Sequence, residues 1–456
     1  MRLQPARRKY LASVRVKSGI YPAAAFSLSF AAYLLWRSGN GNGAQAALVT
    51  AWLIVPLLAL TERVYFDGQR LTRRGLTAVL RRVFKRQAQT IAVCEIEWIE
   101  TGTVRLFRRG GMVRYRYHSE ISGNGVHLHV AAGGRAYRRL VRTLFPLVPS
   151  EKLDVRSLDL RDYLCDARHL RATRELLRIA PPAVLEDSLR ALDEKRIIRP
   201  RRSEGTAAGA GPQRASALQR AANELRVAGR LSEAGEAFRR ALLAAPYDGW
   251  LIYGLARLLH SQAGAFGKAG LARRSVAALR LAARHAGQDA ELLLRIGESL
   301  AEHGELNWAS RLLNRAIESD ARSFRAAIGL AELALNSGKL AHVVHHYRAA
   351  QALARDPALA RFAAREADYY LRLSADDDYL DAELRRLGWL QNTQRARHLA
   401  ARVGIASGVF ALGATAWNPS LAAAGWALAS SSAVVWMSVS LAGKFFAERS
   451  KARSAD

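Results

Sequence analysis

The chain has 456 residues, room for roughly three or four domains of ordinary size. Its 69 Lys and Arg against 39 Asp and Glu leave a formal charge of +30, which turns attention to anionic partners. Cys94 and Cys165 form no Cys-x-x-Cys, so a disulfide framework and a zinc ribbon are excluded.

Residues 1–19 read as a basic cytoplasmic tail, with Arg2, Arg7, Arg8, Lys9, Arg15 and Lys17. Two runs of 17 uncharged residues follow, Ile20 to Trp36 and Ala44 to Leu60, joined by a Gly/Asn-rich turn. Each is near the lower limit for a helix crossing about 30 Å of hydrocarbon. At the other end, Val403 to Trp417 and Leu421 to Gly443 flank the breaker Asn418-Pro419. The pattern predicts two transmembrane hairpins, 20–60 and 403–443, anchors rather than a transport path because none of the runs holds a charged residue. Cations crowd the outer flanks, including the basic tail 444–456, while the first turn holds Arg37 alone and the second none. That distribution predicts a multi-pass protein of the cytoplasmic (inner) membrane with both termini and all soluble parts in the cytoplasm.

Alternatives exist at both ends. Ala44-Gln45-Ala46 would serve as a signal-peptide cleavage site, although Arg37 and the immediate second run disfavour export. The C-terminal runs would also suit a buried soluble helix pair. Gly404-x-x-x-Gly408, Ala422, Gly425 and Ala429 instead suit closely packed membrane helices.

From Val64 the texture changes to period-two runs: Arg70-Leu71-Thr72-Arg73, Ile91 to Ile99, Val104 to Phe107, Val113 to Tyr117 and Val126 to Val130. Gly-containing turns separate them, predicting a small antiparallel β unit over 63–147. Arg135 to Phe145, apolar at 137, 140, 141, 144 and 145, has the spacing of a helix covering such a sheet. A membrane hairpin, the Leu71-Thr72-Arg73-Arg74-Gly75 strand end, Ile96-x-x-Ile99 and a closing helix together resemble the bacterial pleckstrin-homology-like domains that follow membrane hairpins. The resemblance covers residues 20–147 and implies a helix-capped β barrel or sandwich acting as an assembly module at the membrane, with lipid headgroup binding carried in by the name. Independently of it, Arg63, Arg70, Arg73, Arg74, Arg81, Arg82, Lys85 and Arg86 oppose a single Asp67 and are candidates for contact with anionic lipid. Enforcing topology and solvating the domain would explain them equally. Phe84, Phe107, Tyr115 and Tyr117 supply a few of the interleaved aromatics that nucleic-acid stacking needs, but tethering at the membrane makes nucleic acid an unexpected partner.

Residues 150–198 predict a helical pair broken at Pro181-Pro182, and 199–214, rich in Gly and Ala, a flexible linker. Beyond it a repeat appears: Gly297, Gly304, Ala309 and Ala316 return 34 residues later as Ala331, Gly338, Val343 and Ala350. Upstream, Ala222, Gly229, Ala234, Phe238, Ala241 and Pro246 form the same small-Gly-Ala-aromatic-Ala-Pro run. An intermediate copy, Trp250 to Ala282, carries the insertion Ala263-Gly264-Ala265-Phe266-Gly267-Lys268-Ala269. Residues 215–357 thus resemble tetratricopeptide repeats, in which small residues sit where paired helices cross and glycine ends the first helix. With a capping helix the array extends over 215–373, followed by a connecting helix at 376–398.

Such arrays bind peptides on the face lined by the first helix of each pair. Helical spacing places Asn223, Arg226, Trp250, Tyr253, Arg257, His260, Glu298, Glu302, Glu332 and Asn336 there, basic and aromatic at one end and acidic at the other. Asn223 and Arg226 partly match the polar clamp that some of these repeats use for a peptide carboxylate, without its lysines. His342, His345 and His346, and the pair His127 and His129, read as solvated histidines rather than metal ligands. Asp376-Asp377-Asp378 reads as a helix start. No phosphate loop, nucleophile elbow or His-Glu-x-x-His is present, so neither a cofactor nor an enzyme is expected. The expected fold is a mainly α membrane protein: two transmembrane hairpins, a small antiparallel pleckstrin-homology-like β domain and an α-solenoid of tetratricopeptide repeats. The expected role is a membrane-anchored adaptor that recruits protein or peptide partners, the alternative a structural or regulatory subunit of a membrane transport or secretion complex. Arg/Ala-rich usage points to a GC-rich bacterium.

Overall fold

The computed structural model describes residues 10–16, 20–75, 78–79, 89–109, 112–130, 134–179, 211–320 and 322–446. They fall into two units, one drawn from 1–16, 63–73 and 84–371, the other from 17–62, 74–83 and 372–456.

The first unit begins with a correction. Ala12–Arg15, expected to lie in a tail, forms strand β1 and pairs antiparallel with β2 (Arg63–Phe66), Ala12 opposite Phe66 and Arg15 opposite Arg63. Ala12, Val14 and Val16 are buried while Arg15 is exposed, so the segment has strand alternation that a surrounding run of cations concealed. The first apolar hairpin is therefore inserted between two paired strands. β3 (Arg70–Arg74) and β4 (Thr90–Ala92) complete a four-stranded antiparallel sheet in the order β1-β2-β3-β4. A second sheet holds β5 (Ile96–Arg109), β6 (Met112–Gly123) and β7 (Val126–Val130).

The predicted runs ending at Ile99 and starting at Val104 belong to one strand, the 14-residue β5, which continues through Thr101-Gly102 where a turn was expected. A side chain on Gly102 would lie 2.2 Å from the imidazole of His118 on β6, so this glycine serves cross-strand packing rather than a turn. Helices α1 (Ile20–Arg37), α2 (Gly41–Val49) and α3 (Val55–Thr61) belong to the second unit; in the first, α4 (Arg135–Leu144) buries Tyr137, Leu140, Val141 and Leu144 against the strands.

That core also takes in Leu153, Leu158 and Leu160, so α5 (Val155–Tyr163) belongs to the β unit rather than to a separate helical pair. Asp154 caps α5 through Ser157 N (2.9 Å) and accepts from Thr101 N (3.2 Å), which pins the helix to β5. α6 (Ala167–Leu176) follows. Pro181-Pro182 and residues 199–210 lie outside the described residues.

α7 (Gly211–Val227) starts inside the expected linker, with Pro212 as its second residue. Four helix pairs follow one another: α7 with α8 (Leu231–Ala244), α9 (Gly249–Phe266) with α10 (Ala269–His285), α11 (Ala290–Glu302) with α12 (Leu306–Ser319), and α13 (Phe324–Asn336) with α14 (Leu340–Leu353). α15 (Pro357–Ala375) caps the last pair through Leu359, Ala363 and Tyr370. Asp248, Asp289 and Ser323 cap α9, α11 and α13 through their side chains. A Cβ on Gly254 would lie 2.6 Å from Phe238, and one on Gly297 3.1 Å from Leu313, the close crossings that the small residues allow. This is a tetratricopeptide-like array. The insertion does not loop out: α9 has 18 residues against 13 in α11 and α13, and it ends on Gly267 at φ +66°.

In the second unit, α2 continues through a π turn (Thr50–Ile54) into α3, so 41–61 is one apolar helical stretch beside α1. The expected connecting helix and third apolar run are one helix, α16 (Asp377–Ala414), which packs against α17 (Pro419–Phe446). No breaker separates 398 from 403, so nothing stops the helix there. A Cβ on Gly425 would meet that of Ala411 at 2.9 Å, and Gly404 approaches Ser432, while Gly408 faces open space. Among the described residues, two helical stretches are long and apolar enough to cross a membrane, Gly41–Thr61 and Pro419–Ser440.

Candidate functional site

The first helices of the array carry a line of charged residues that are buried, against the rule that such groups face water unless paired. Their partner comes from α5. Its Asp159 side chain is flanked by the core residues Leu158 and Leu160 and accepts two hydrogen bonds from Arg226, at 2.8 and 3.0 Å, and one from Arg257 at 3.4 Å. Asn223 Oδ1 accepts from the Arg226 Nε and Nη2 at 3.3 and 3.2 Å and holds the guanidinium in place. Burial disfavours the Asp159 charge, but Arg226 and Arg257 outweigh it and bring its pKa down to about 2. Asn223 and Arg226 thus meet a carboxylate as a polar clamp would, and it is the chain's own.

Arg257 also donates to Glu302 at 2.9 Å, and Arg325 on α13 donates to Glu298 through Nε (3.2 Å) and Nη2 (2.5 Å). Of the residues expected to line the groove, Asn223, Arg226, Arg257, Glu298 and Glu302 make internal pairs. Trp250 is tied too, its Nε1 donating to Asp289 at 2.9 Å with the Arg295 guanidinium 5.3 Å above the ring. Tyr253 is buried, its ring edge-on to Trp250. His260 Nδ1 lies 3.1 Å from His303 Nε2, and burial, Arg257 and His303 push its pKa down to about 4, so it is neutral near pH 7.

The strands close the same face. Val113 N of β6 donates to Gly229 O at 2.8 Å, and Tyr117 donates its hydroxyl to Val227 O at 2.5 Å. At the far end of the array Lys152, almost wholly buried, pairs with Asp356 at 2.7 Å, and Arg365 pairs with Glu97 at 2.5 Å. Cavities lie beside the network. One of about 110 Å³ is lined by Arg105, Tyr115, Arg156, Asp159, Arg226 and Arg257 among others. The second, about 340 Å³, is acidic: Trp98, Glu100, Asp154, Glu298, Glu302 and Glu332 face it, with Arg325 and Asn336. Glu332 and Asn336, two of the expected groove residues, line this cavity.

Enclosure by the cavity wall, followed by the charges of Glu298 and Glu100, raises the Glu332 pKa to about 7. A carboxyl whose folded pKa lies above its unfolded value loses stability as pH rises through the folded pKa. Glu332→Gln should therefore raise Tm at pH 8 and do so progressively less as pH falls toward 4, measured by thermal unfolding of the purified chain.

Sequence spacing did not find Asp159, Arg295 or Arg325, which complete the network. The one signal for Asp159 was its place between two leucines that face a core. Arg63, Arg70, Arg73 and Arg74 lie at strands β2 and β3, whereas Arg81, Arg82, Lys85 and Arg86 fall outside the described residues. Among the described residues no group of three His, Cys, Asp or Glu side chains could hold a metal ion.

No protein family matches the chain, and no curated protein matches it. Among solved structures, it is similar to a chain in the crystal structure of the APC/C hetero-tetramer Cut9-Hcn1, at 14% identity over 68% of this chain and 52% of that one, with a TM-score of 0.29. The chain thus spans about half the length of that relative. A likeness this distant carries no functional argument, and the array is assigned from its own repeat residues and helix pairs.

Proposed function

We propose that the chain is a membrane-anchored scaffold of the cytoplasmic membrane, which holds a tetratricopeptide-like array at the cytoplasmic face for protein partners. The carrying observation is the set of apolar side chains that the second unit turns outward: Trp52, Leu53 and Leu57 in the first hairpin, Ile405, Val409, Phe410 and Leu412 in the second. A water-soluble fold would bury such a set, and hydrocarbon is the solvent that suits it. Charge placement on the flanks supports both termini and the array facing the cytoplasm. Two small antiparallel sheets with a covering helix support the pleckstrin-homology-like reading of 63–147, with the first strand supplied from before the hairpin. Arg63, Arg70, Arg73 and Arg74 could add attraction to an anionic leaflet.

The test uses intact cells and the full chain. After Cys94 and Cys165 are replaced, single cysteines at Asn40 and Asn418 should react with an impermeant reagent added outside, and one at Tyr247 should not. Labelling at Tyr247 from outside would overturn the orientation. A photoreactive residue at Asn336 should then crosslink a protein in membranes; crosslinks to lipid or to nothing would remove the scaffold reading of the groove.

A further inference from the structure

The smaller cavity lies where β5 and β6 meet α5, α7 and α9, and four arginines line it: Arg105, Arg156, Arg226 and Arg257. Only two carboxylates answer them. Asp159 is taken by Arg226 and Arg257, and Glu302 by Arg257, with Arg156 at 3.9 Å from it. Arg105 has no carboxylate within ion-pair distance among the described residues, and its guanidinium lies on the backbone of α9. A Cβ on Gly264 would be 2.5 Å from Arg105 Nη2, so the inserted Gly264 makes room for it.

The charge therefore stays about two units positive in a space partly shielded from water. Neutral hydroxyls line it as well, those of Thr103 and of Tyr115, whose phenol burial keeps protonated, while the Ser261 hydroxyl donates to the Arg257 carbonyl oxygen at 2.9 Å. At about 110 Å³ the space holds several water molecules, given about 10–15 Å³ for each. Guanidiniums from two directions plus hydroxyl donors suit a tetrahedral oxyanion, whose oxygens accept from many sides, better than a planar carboxylate.

We propose that this cavity binds a phosphate group, with Arg105 from β5 and Arg156 from α5 as its direct ligands and the Asp159–Arg226–Arg257 network as their rigid backing. The site is separate from the scaffold reading and stands or falls without it. Because α5 and β5 come from the β unit and Arg257 from the array, an occupied cavity would tighten the joint between them.

The test is thermal unfolding and titration calorimetry of the detergent-purified full chain with inorganic phosphate, sulfate-free buffer and acetate as the planar control. Phosphate should raise Tm and bind, and Arg105→Gln with Arg156→Gln should weaken that binding at least tenfold while the unliganded Tm changes little. Absence of phosphate binding, equal binding by the double variant, or a preference for acetate would each overturn the proposal. Nanodiscs of phosphatidylcholine with and without phosphatidylglycerol separate two sources of the group. If a lipid headgroup fills the cavity, added phosphate raises Tm only in the discs lacking the anionic lipid; if a free phosphate compound does, both discs respond alike.

Discussion

Gly229→Ala should be the most damaging single substitution in the array, far beyond the same change at Gly304. Both glycines end the first helix of a repeat, and both need the left-handed region, at φ +82° and +79°. An alanine there costs roughly 1–2 kcal/mol. The surroundings separate them. A Cβ on Gly304 meets nothing within 4 Å, whereas one on Gly229 would lie 1.9 Å from the Val113 carbonyl oxygen. That oxygen is backbone, and Val113 N already donates to Gly229 O at 2.8 Å, so β6 can yield only by leaving the turn. Detachment would also strain the Tyr117 hydrogen bond to Val227 O. We expect a loss of about 3 kcal/mol or more for Gly229→Ala and about 1 kcal/mol for Gly304→Ala, read as the difference in Tm of the two purified variants. Equal effects would show that the β unit does not rest on the array at this turn.

This pair of glycines also marks how far the sequence could be read. The repeat glycine was legible because every copy needs it for the same local reason, a helix ending in positive φ. Its second role at Gly229, close approach to a strand more than a hundred residues earlier, leaves no trace in local spacing. The array followed from its period, and most of the strand runs from their alternation. β1 did not, since four residues among cations look like a tail until Phe66 and Val64 are seen opposite them. The groove residues were placed on the correct helices by 3.6-residue spacing, but spacing cannot say whether a face meets water or another part of the chain. Arg226 and Arg257 proved to face Asp159, and the evidence for that lies in α5, outside the repeat.

Asp159→Asn should destabilise the first unit by about 3 kcal/mol at neutral pH, because it leaves the buried Arg226 guanidinium without its carboxylate and Arg257 with Glu302 alone. Arg226 and Arg257 are each about 6% exposed, so water cannot replace the lost charge. At roughly 2–4 °C per kcal/mol for a unit of this size, Tm should fall by about 6–12 °C. The pH dependence gives a second reading. The folded pKa of Asp159, about 2, lies below the unfolded value near 3.9, so its contribution is fully present above that value and disappears as pH falls toward 2. The gap between wild type and Asp159→Asn should therefore be constant from pH 8 to 5 and narrow below pH 4. A gap unchanged at pH 3 would mean that shape, not charge, is what the site requires. Replacing the network as a whole distinguishes a stabilising tie from a device for specific docking. If Asp159→Leu with Arg226→Met and Arg257→Met regains the wild-type Tm, apolar packing serves as well, as it often does for buried ion pairs. Recovery of stability together with loss of the joint, seen as faster hydrogen exchange at the Val113 amide that donates to Gly229 O, would assign the charges to orienting the β unit in the array rather than to holding it there.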